Sequence, residues 1–200
     1  LKKSIIITPY NKVAEYINQQ KLEELKNKSF SYKASISGSF NDEKSYPAPE
    51  NLILKKGALV IFNKNNYPLW INGSSGIIEE LYEDEIKVRL LKDNTVVIVL
   101  REMWKNFSYE HDKKTDEIIE QETGSFIQFP LQLGYALTIH KAQGKTLDKV
   151  ILDIDRGAFA HGQLYVALSR TRRKDDMHIK KELFESDIIL DERVMNFLLN

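Results

Sequence analysis

Cysteine is absent from the 200 residues, which excludes a disulfide framework, a thiolate metal site and a cysteine nucleophile. No stretch approaches the roughly 18 consecutive apolar residues that a membrane-spanning helix needs, so no membrane partner is expected. Net charge is missing too. The 29 basic residues balance 29 acidic ones, which rules out a uniformly basic nucleic-acid coat but leaves room for a local basic face. There is no internal repeat, no low-complexity segment, and no cleavable signal pattern where Leu1-Lys2-Lys3 runs into Ile5-Ile6-Ile7. His111, His140, His161 and His178 show no ligand spacing, and no metal site is expected. What remains is ordinary: 42% hydrophobic and 29% charged residues, enough for one or two compact domains. With leucine first, the chain reads as a piece of something longer.

Hydrophobic periodicity divides the chain. Ser4 to Thr8 is β-branched and apolar, and Thr8-Pro9 offers a helix cap followed by proline at the first helical position. Val13, Tyr16, Ile17, Leu22 and Leu25 then form a helical stripe. Phe30 to Ser37 reads as a second strand, and the polar stretch from Gly38 through Asn41, Asp42, Pro47 and Pro49 as a loop and a domain boundary. From about Leu52 to Glu120 short strands are punctuated by turns, among them Lys92-Asp93-Asn94, whose residues tolerate a left-handed backbone. That pattern predicts a small antiparallel barrel inserted into an α/β domain, with 52–120 as the insertion and 1–51 plus 121–200 as the host. After it, Phe126 to Leu133 is extended and Tyr135 to Ala142 is expected to be helical, ended by a left-handed Gly144. Lys149 to Ile154 is a buried strand, Gly162 to Arg170 a helix, Met177 to Ile179 a last strand, and Asp187 to Leu199 a closing helix.

Between Leu137 and Lys181 the charge is locally positive. Lys141, Lys145, Lys149, Arg156, Arg170, Arg172, Arg173, Lys174, Lys180 and Lys181 outnumber Asp148, Asp153, Asp155, Asp175 and Asp176. Taken alone, such a run is a solvated surface. Gly144-Lys145-Thr146 imitates the end of a phosphate-binding G-x-x-x-x-G-K-[ST] loop, but the first glycine would fall on Ile139. Without that glycine the backbone amides form no anion nest, so a phosphate loop is not expected here. Val150 to Asp153 likewise reads as a core strand ending in a solvated acid rather than a magnesium site.

Two longer blocks are more informative: Gly134 to Asp148 (GYALTIHKAQGKTLD) and Gly162 to Arg172 (GQLYVALSRTR). They resemble motifs V and VI of superfamily 1 helicases, specifically the RecD-like 5′-to-3′ branch whose second motor domain carries an all-β insertion. Thr8-Pro9-Tyr10-Asn11 with Val13 and Ile17-Asn18 resembles motif IV, and Leu54 to Val60 with Asn72-Gly73 and Gly76 is similar to the start of the inserted barrel. The resemblance implies a RecA-like (P-loop NTPase-type) second motor domain carrying a Src-homology-3-like small β-barrel. It implies ATP and Mg²⁺ as cofactors, with the magnesium ligands on a preceding N-terminal motor domain, and single-stranded DNA as partner.

Site residues follow residue by residue from the resemblance. Arg170 corresponds to the arginine finger, whose guanidinium suits charge developing on a transferring phosphoryl group; read alone, it is a helix cap. Gly144 and Lys145 would lie close to the nucleotide, Lys145 being the least secure of these assignments because relatives vary there. Thr138, His140, Lys141 and Gln143 would face DNA or the relay between the two sites, with groups that bind phosphate without identifying a base. Gln163, Tyr165 and Ser169 match motif VI, although Tyr165 can equally pack in the core and Ser169 bond backbone. Tyr67 and Trp70, in a long polar loop, suit base stacking or core packing equally well, whereas Trp104 is expected in the core.

The implied function is the C-terminal part of an ATP-dependent DNA helicase of the cytoplasm, working on the nucleoid, with no catalysis by these 200 residues alone. Two alternatives stay open: a non-catalytic single-stranded nucleic-acid binding module with a helicase-derived fold, and a phosphoryl-transfer enzyme using Gly144-Lys145-Thr146 directly.

Overall fold

The computed structural model of the chain describes residues 4–40, 46–112, 116–154, 157 and 160–199. Leu1-Lys2-Lys3, Asn41 and Asp42 of the expected loop, and Asp155 and Arg156 of the basic window lie outside the described residues. The apolar run after Ser4 forms β1 (Ile5–Thr8), followed by α1 (Asn11–Glu23). Next come β2 (Ser29–Lys33), β3 (Ser35–Gly38) and β4 (Asn51–Lys55). A meander of β5 (Leu59–Phe62), β6 (Ser75–Leu81), β7 (Glu85–Leu90) and β8 (Val96–Leu100) leads into a long hairpin, β9 (Glu102–Asp112) and β10 (Glu117–Gln128). The chain returns through β11 (Leu131–Leu133), β12 (Ala136–Thr138), the one-turn α2 (Ile139–Ala142) and β13 (Val150–Leu152). It closes with α3 (Gln163–Leu168), β14 (Met177–Ile179) and α4 (Glu192–Leu199).

A parallel sheet in the order β12-β1-β13-β14 positions the candidate site. Its strands are short, and β1, β12 and β13 are mostly apolar and buried, as parallel strands covered by helices require, whereas the edge strand β14 leaves His178 and Ile179 exposed. Ile5, Ile7, Leu137, Val150 and Leu152 are buried there with Ile139, Ala142, Leu164 and Ala167 from α2 and α3. The other sheets are antiparallel: β11-β5-β6-β7-β8, β3-β10-β9, and the ribbon β2-β4. Ribbon and meander share one core, in which Leu52 and Leu54 meet Val60, Phe62, Ile78, Val88 and Val99. β5 is buried along its whole length because it divides the two systems: Val60 and Phe62 enter the meander core while Ile61 enters the parallel-sheet core. Sheet pairing also crosses positions 51 and 120, since β2 pairs with β4, β9 with β10, and β11 with β5.

Several local expectations are corrected. The stretch 135–142 is divided: its first half is strand, β12 pairing with β1 along Ile6↔Ala136, Ile7↔Leu137 and Thr8↔Thr138, and only its second half, α2, is helical. A short apolar run has no periodicity to separate strand from buried helix, and burial between layers decides it. Thr8 ends β1 and is buried, so it does not cap α1; the cap position is Tyr10, whose side chain makes no capping bond to the helix. Tyr16 leaves the expected stripe and is 65% exposed. The expected strand 30–37 breaks at Ala34 into β2 and β3, which serve different sheets. The closing helix begins at Glu192, preceded by a 3₁₀ turn at Glu185–Asp187. The Lys92–Asn94 hairpin forms as expected, with Asn94 at φ 62° and Asp93 Oδ1 accepting from Thr95 N at 3.0 Å.

Candidate functional site

The exposed loop between β12 and β13 begins with a capped turn. Thr138 is 3% exposed, and its Oγ1 accepts from Lys141 N at 3.3 Å, satisfying one of the free N–H groups at the start of α2. Thr138 is therefore an internal cap rather than a surface contact. His140, Lys141 and Gln143 are exposed one after another around this turn, as is Gly144. Gly144 has φ +74°, and nothing lies within 4 Å of the position a Cβ would occupy, so the backbone there is open to a ligand.

Arg170 closes α3 against this loop. Its Nε donates to Val166 O at 2.6 Å, Nη1 to Ala142 O at 3.2 Å and Lys145 O at 3.3 Å, and Nη2 to Ser169 Oγ at 2.8 Å. In return Leu147 N donates to Arg170 O at 2.9 Å. The guanidinium thus caps carbonyls from two segments and is folded back on its own domain. Ser169 Oγ also donates to Val166 O at 3.0 Å, the backbone role its residue type allows. Tyr165 is 76% exposed, not in the core. Lys145 is half-buried; its Nζ donates to Asn72 Oδ1 at 2.7 Å, and burial pushes its pKa down.

Comparison with known proteins places these blocks. A family described as UvrD-like helicase C-terminal domain matches residues 133–174, the span holding β12, α2 and Arg170. The ATP-dependent DNA helicase Pif1 of Campylobacter jejuni is 38% identical over 181 residues, covering 84% of this chain and 40% of that protein. Unliganded Pif1 from Bacteroides superposes with a TM-score of 0.86 at 33% identity, covering 98% of this chain and 45% of that one. This chain is homologous to the Pif1 helicases. The likeness makes its fold RecA-like with mixed sheets. Bacteroides Pif1 in complex with ADP-AlF3 and ssDNA has a TM-score of 0.71 at 34% identity, covering 98% of this chain and 44% of that one. The chain spans 40% of the length of the Pif1 relatives from Campylobacter jejuni and Bdellovibrio bacteriovorus and 22–32% of the other Pif1 relatives compared.

Within this Pif1-like frame, the two aromatic candidates separate. Tyr67 is 75% exposed beside an open groove that Arg172, Arg173 and Lys92 also line. Trp70 is 3% exposed: its ring lies 4.6 Å from that of Phe62 and its Nε1 donates to Lys64 O at 3.1 Å. The expectation of a DNA contact at Trp70 is corrected, because an indole covered by the core has no free face for a base. Trp104, expected in the core, is partly buried and packs edge-on to Phe126 at the margin of a small cluster.

Sequence reasoning missed what Asn18 does. Its Nδ2 donates to Ala136 O at 2.8 Å, and its Oδ1 accepts from Tyr135 N at 3.1 Å and Ala136 N at 2.9 Å. This clamp fixes the edge strand that carries the α2 loop. The available signal was an amide between Ile17 and Leu22 on the inner side of α1, where solvent-facing polarity does not explain it. Among the described residues no group of three or more His, Asp or Glu side chains converges on a metal-sized space.

Proposed function

We propose that this chain is the C-terminal motor half of an ATP-dependent DNA helicase that moves 5′ to 3′ on single-stranded DNA and unwinds duplex. Residues 1–51 plus 121–200 are read as the RecA-like motor domain, and 52–120 as an inserted small β-barrel similar to Src-homology-3 domains. The meander and its β2-β4 ribbon around one core support the barrel reading. The observation that carries the function is Arg170 at the end of α3, held against an open glycine-bearing loop within the segment that matches the helicase family.

The residues present fit one wall of a nucleotide site. ATP bound between two motor domains supplies the phosphoryl group whose transfer to water drives the motor. Arg170 exchanges neutral carbonyl acceptors for phosphate oxygens, a favourable trade because charge-assisted hydrogen bonds are stronger. Gly144 lets the backbone approach without a clash. A phosphate loop is missing from the sequence, and among the described residues no group of three or more carboxylates and histidines gathers to hold a metal ion. The N-terminal motor domain of the same protein would therefore bring the phosphate loop and the Mg²⁺ ligands, and these 200 residues alone would not turn over ATP. His140, Lys141 and Gln143 offer cation and amide donors to DNA phosphates without reading bases, as a motor on arbitrary sequence requires. Tyr67 adds a stacking platform. Such a motor works in the cytoplasm, on the nucleoid.

The test is single-stranded-DNA-stimulated ATP hydrolysis by the longest natural chain containing this segment, wild type against Arg170→Ala. A finger predicts a fall of about 10³- to 10⁵-fold with DNA binding retained. A second reading, the non-catalytic nucleic-acid binding module, draws on the same bonds, since Arg170 already has structural partners. Unchanged turnover in Arg170→Ala, or no turnover in any natural chain, would establish that module instead.

A further inference from the structure

We propose that the loop between β5 and β6 is a latch on the α2–β13 loop, with Asn72 as the positioning residue that keeps Arg170 folded back until the latch opens. The proposal rests on the helicase reading above and assigns the inserted sheet a regulatory contact with the ATP site.

Direct contacts run from one loop to the other. Asn72 Oδ1 accepts from Lys145 Nζ at 2.7 Å, and Ser75 Oγ donates to Asp148 Oδ2 at 3.4 Å. Between them Gly73, at φ +94°, would place a Cβ 3.0 Å from Lys145 Cβ and 3.2 Å from Thr146 O. Only glycine permits this approach of the two loops. The gripped segment is the one that holds the arginine: Lys145 O and Ala142 O accept from Arg170 Nη1, and Leu147 N donates to Arg170 O. Contact thus passes from Asn72 to Lys145 to Arg170 without a gap.

The latch loop is shaped independently of the Asn72 side chain. Asn72 N donates to Asn65 Oδ1 at 2.7 Å, Ile71 N to Ser74 Oγ at 3.1 Å, and Gly73 N to Phe62 O at 2.9 Å. The Asn72 amide is therefore spent on the neighbouring loop. An amide oxygen facing a half-buried ammonium biases the loop without locking it, as a carboxylate there would. DNA engaging His140, Lys141 and Gln143 on the same turn pulls on the gripped segment, and the equilibrium shifts by the difference in DNA affinity between its two states.

The test uses the longest natural chain. Asn72→Ala should raise ATP turnover without DNA about tenfold while DNA-saturated turnover stays at the wild-type level, and Asn72→Asp, which keeps an acceptor, should hold DNA-free turnover low. Equal DNA-free rates in wild type and Asn72→Ala, or a parallel fall with and without DNA, overturn the latch. A second readout does not depend on activity: acylation of lysines by an amine-reactive ester, quantified by mass spectrometry. Lys145 should label more slowly than exposed Lys141 in the wild type, and should catch up in Asn72→Ala and in wild type bound to a thymidine oligonucleotide. Equal Lys145 labelling in wild type and Asn72→Ala refutes the contact. A wild-type chain with no DNA-stimulated turnover would sink the helicase reading, and the latch would then stand or fall on the labelling alone.

Discussion

Replacing Asn18 with alanine removes the clamp that ties α1 to the start of β12, and the structure sets the size of the effect. Three hydrogen bonds of 2.8, 3.1 and 2.9 Å are lost. Each contributes about 0.5–1.5 kcal/mol net, and more where the abandoned group stays dry. Asn18 is half-buried, so water reaches part of the gap, while Tyr135 O keeps its bond from Ile6 N. A loss of about 2 kcal/mol is expected, read as a lower urea midpoint with an unchanged slope. Asn18→Asp keeps the acceptor for Tyr135 N and Ala136 N but loses the donor to Ala136 O, so it should lose about half as much. A second consequence follows from position. β12 runs directly into α2, so loosening it blurs the placement of His140, Lys141 and Gln143, and single-stranded DNA affinity in the intact protein should fall a few-fold. A loss below about 0.5 kcal/mol in Asn18→Ala, or equal losses in the alanine and aspartate variants, would refute the reasoning, because the three bonds would then be exchangeable with water.

Gln128 is fully buried; its Nε2 donates to Tyr32 O, Pro49 O and Glu50 O, and its Oε1 accepts from Phe129 N. Gln128→Leu should cost about 3 kcal/mol, a fall of about 6–12 °C in Tm by calorimetry. The Tyr32 phenol is pushed up to about 12, mainly by burial. Its contribution is complete below the unfolded value near 10 and disappears as pH rises through 12. Stability should thus drop by on the order of 2 kcal/mol across that window, and Tyr32→Phe should remove this part of the slope in a denaturation series. Trp70→Ala should cost about 3–5 kcal/mol with single-stranded DNA affinity unchanged under native conditions. Tyr67→Ala should leave stability within about 0.5 kcal/mol and weaken DNA binding by about 1–3 kcal/mol, measured by fluorescence anisotropy.

Where a local rule applies, the sequence was sufficient. β1 and β13 read as apolar strands, β14 began and ended at the expected residues, and Gly144 and Asn94 took the left-handed backbone their residue types allow. The features that escaped are set by partners distant in sequence. Ala136-Leu137-Thr138 is a strand because β1 lies beside it, and its own pattern does not distinguish strand from helix. Ala34 separates two strands because β4 and β10 claim opposite sides of it. Trp70 looked like a loop aromatic, yet Phe62 draws it inward.

The candidate site shows the same division. Its chemistry-bearing residues fall within two contiguous blocks, which is why they were legible, but the state of Arg170 is not encoded in either block. The guanidinium is folded back on the carbonyls of Ala142 and Lys145, and Lys145 is held by Asn72, 73 residues away in sequence. A short motif can therefore specify which groups are available, while contacts from distant loops such as the one between β5 and β6 bear on which of them are free. If that is so, substitutions in the β5–β6 loop should alter ATP turnover as strongly as many within the motif itself, through the conformation of Arg170 rather than through any contact with nucleotide.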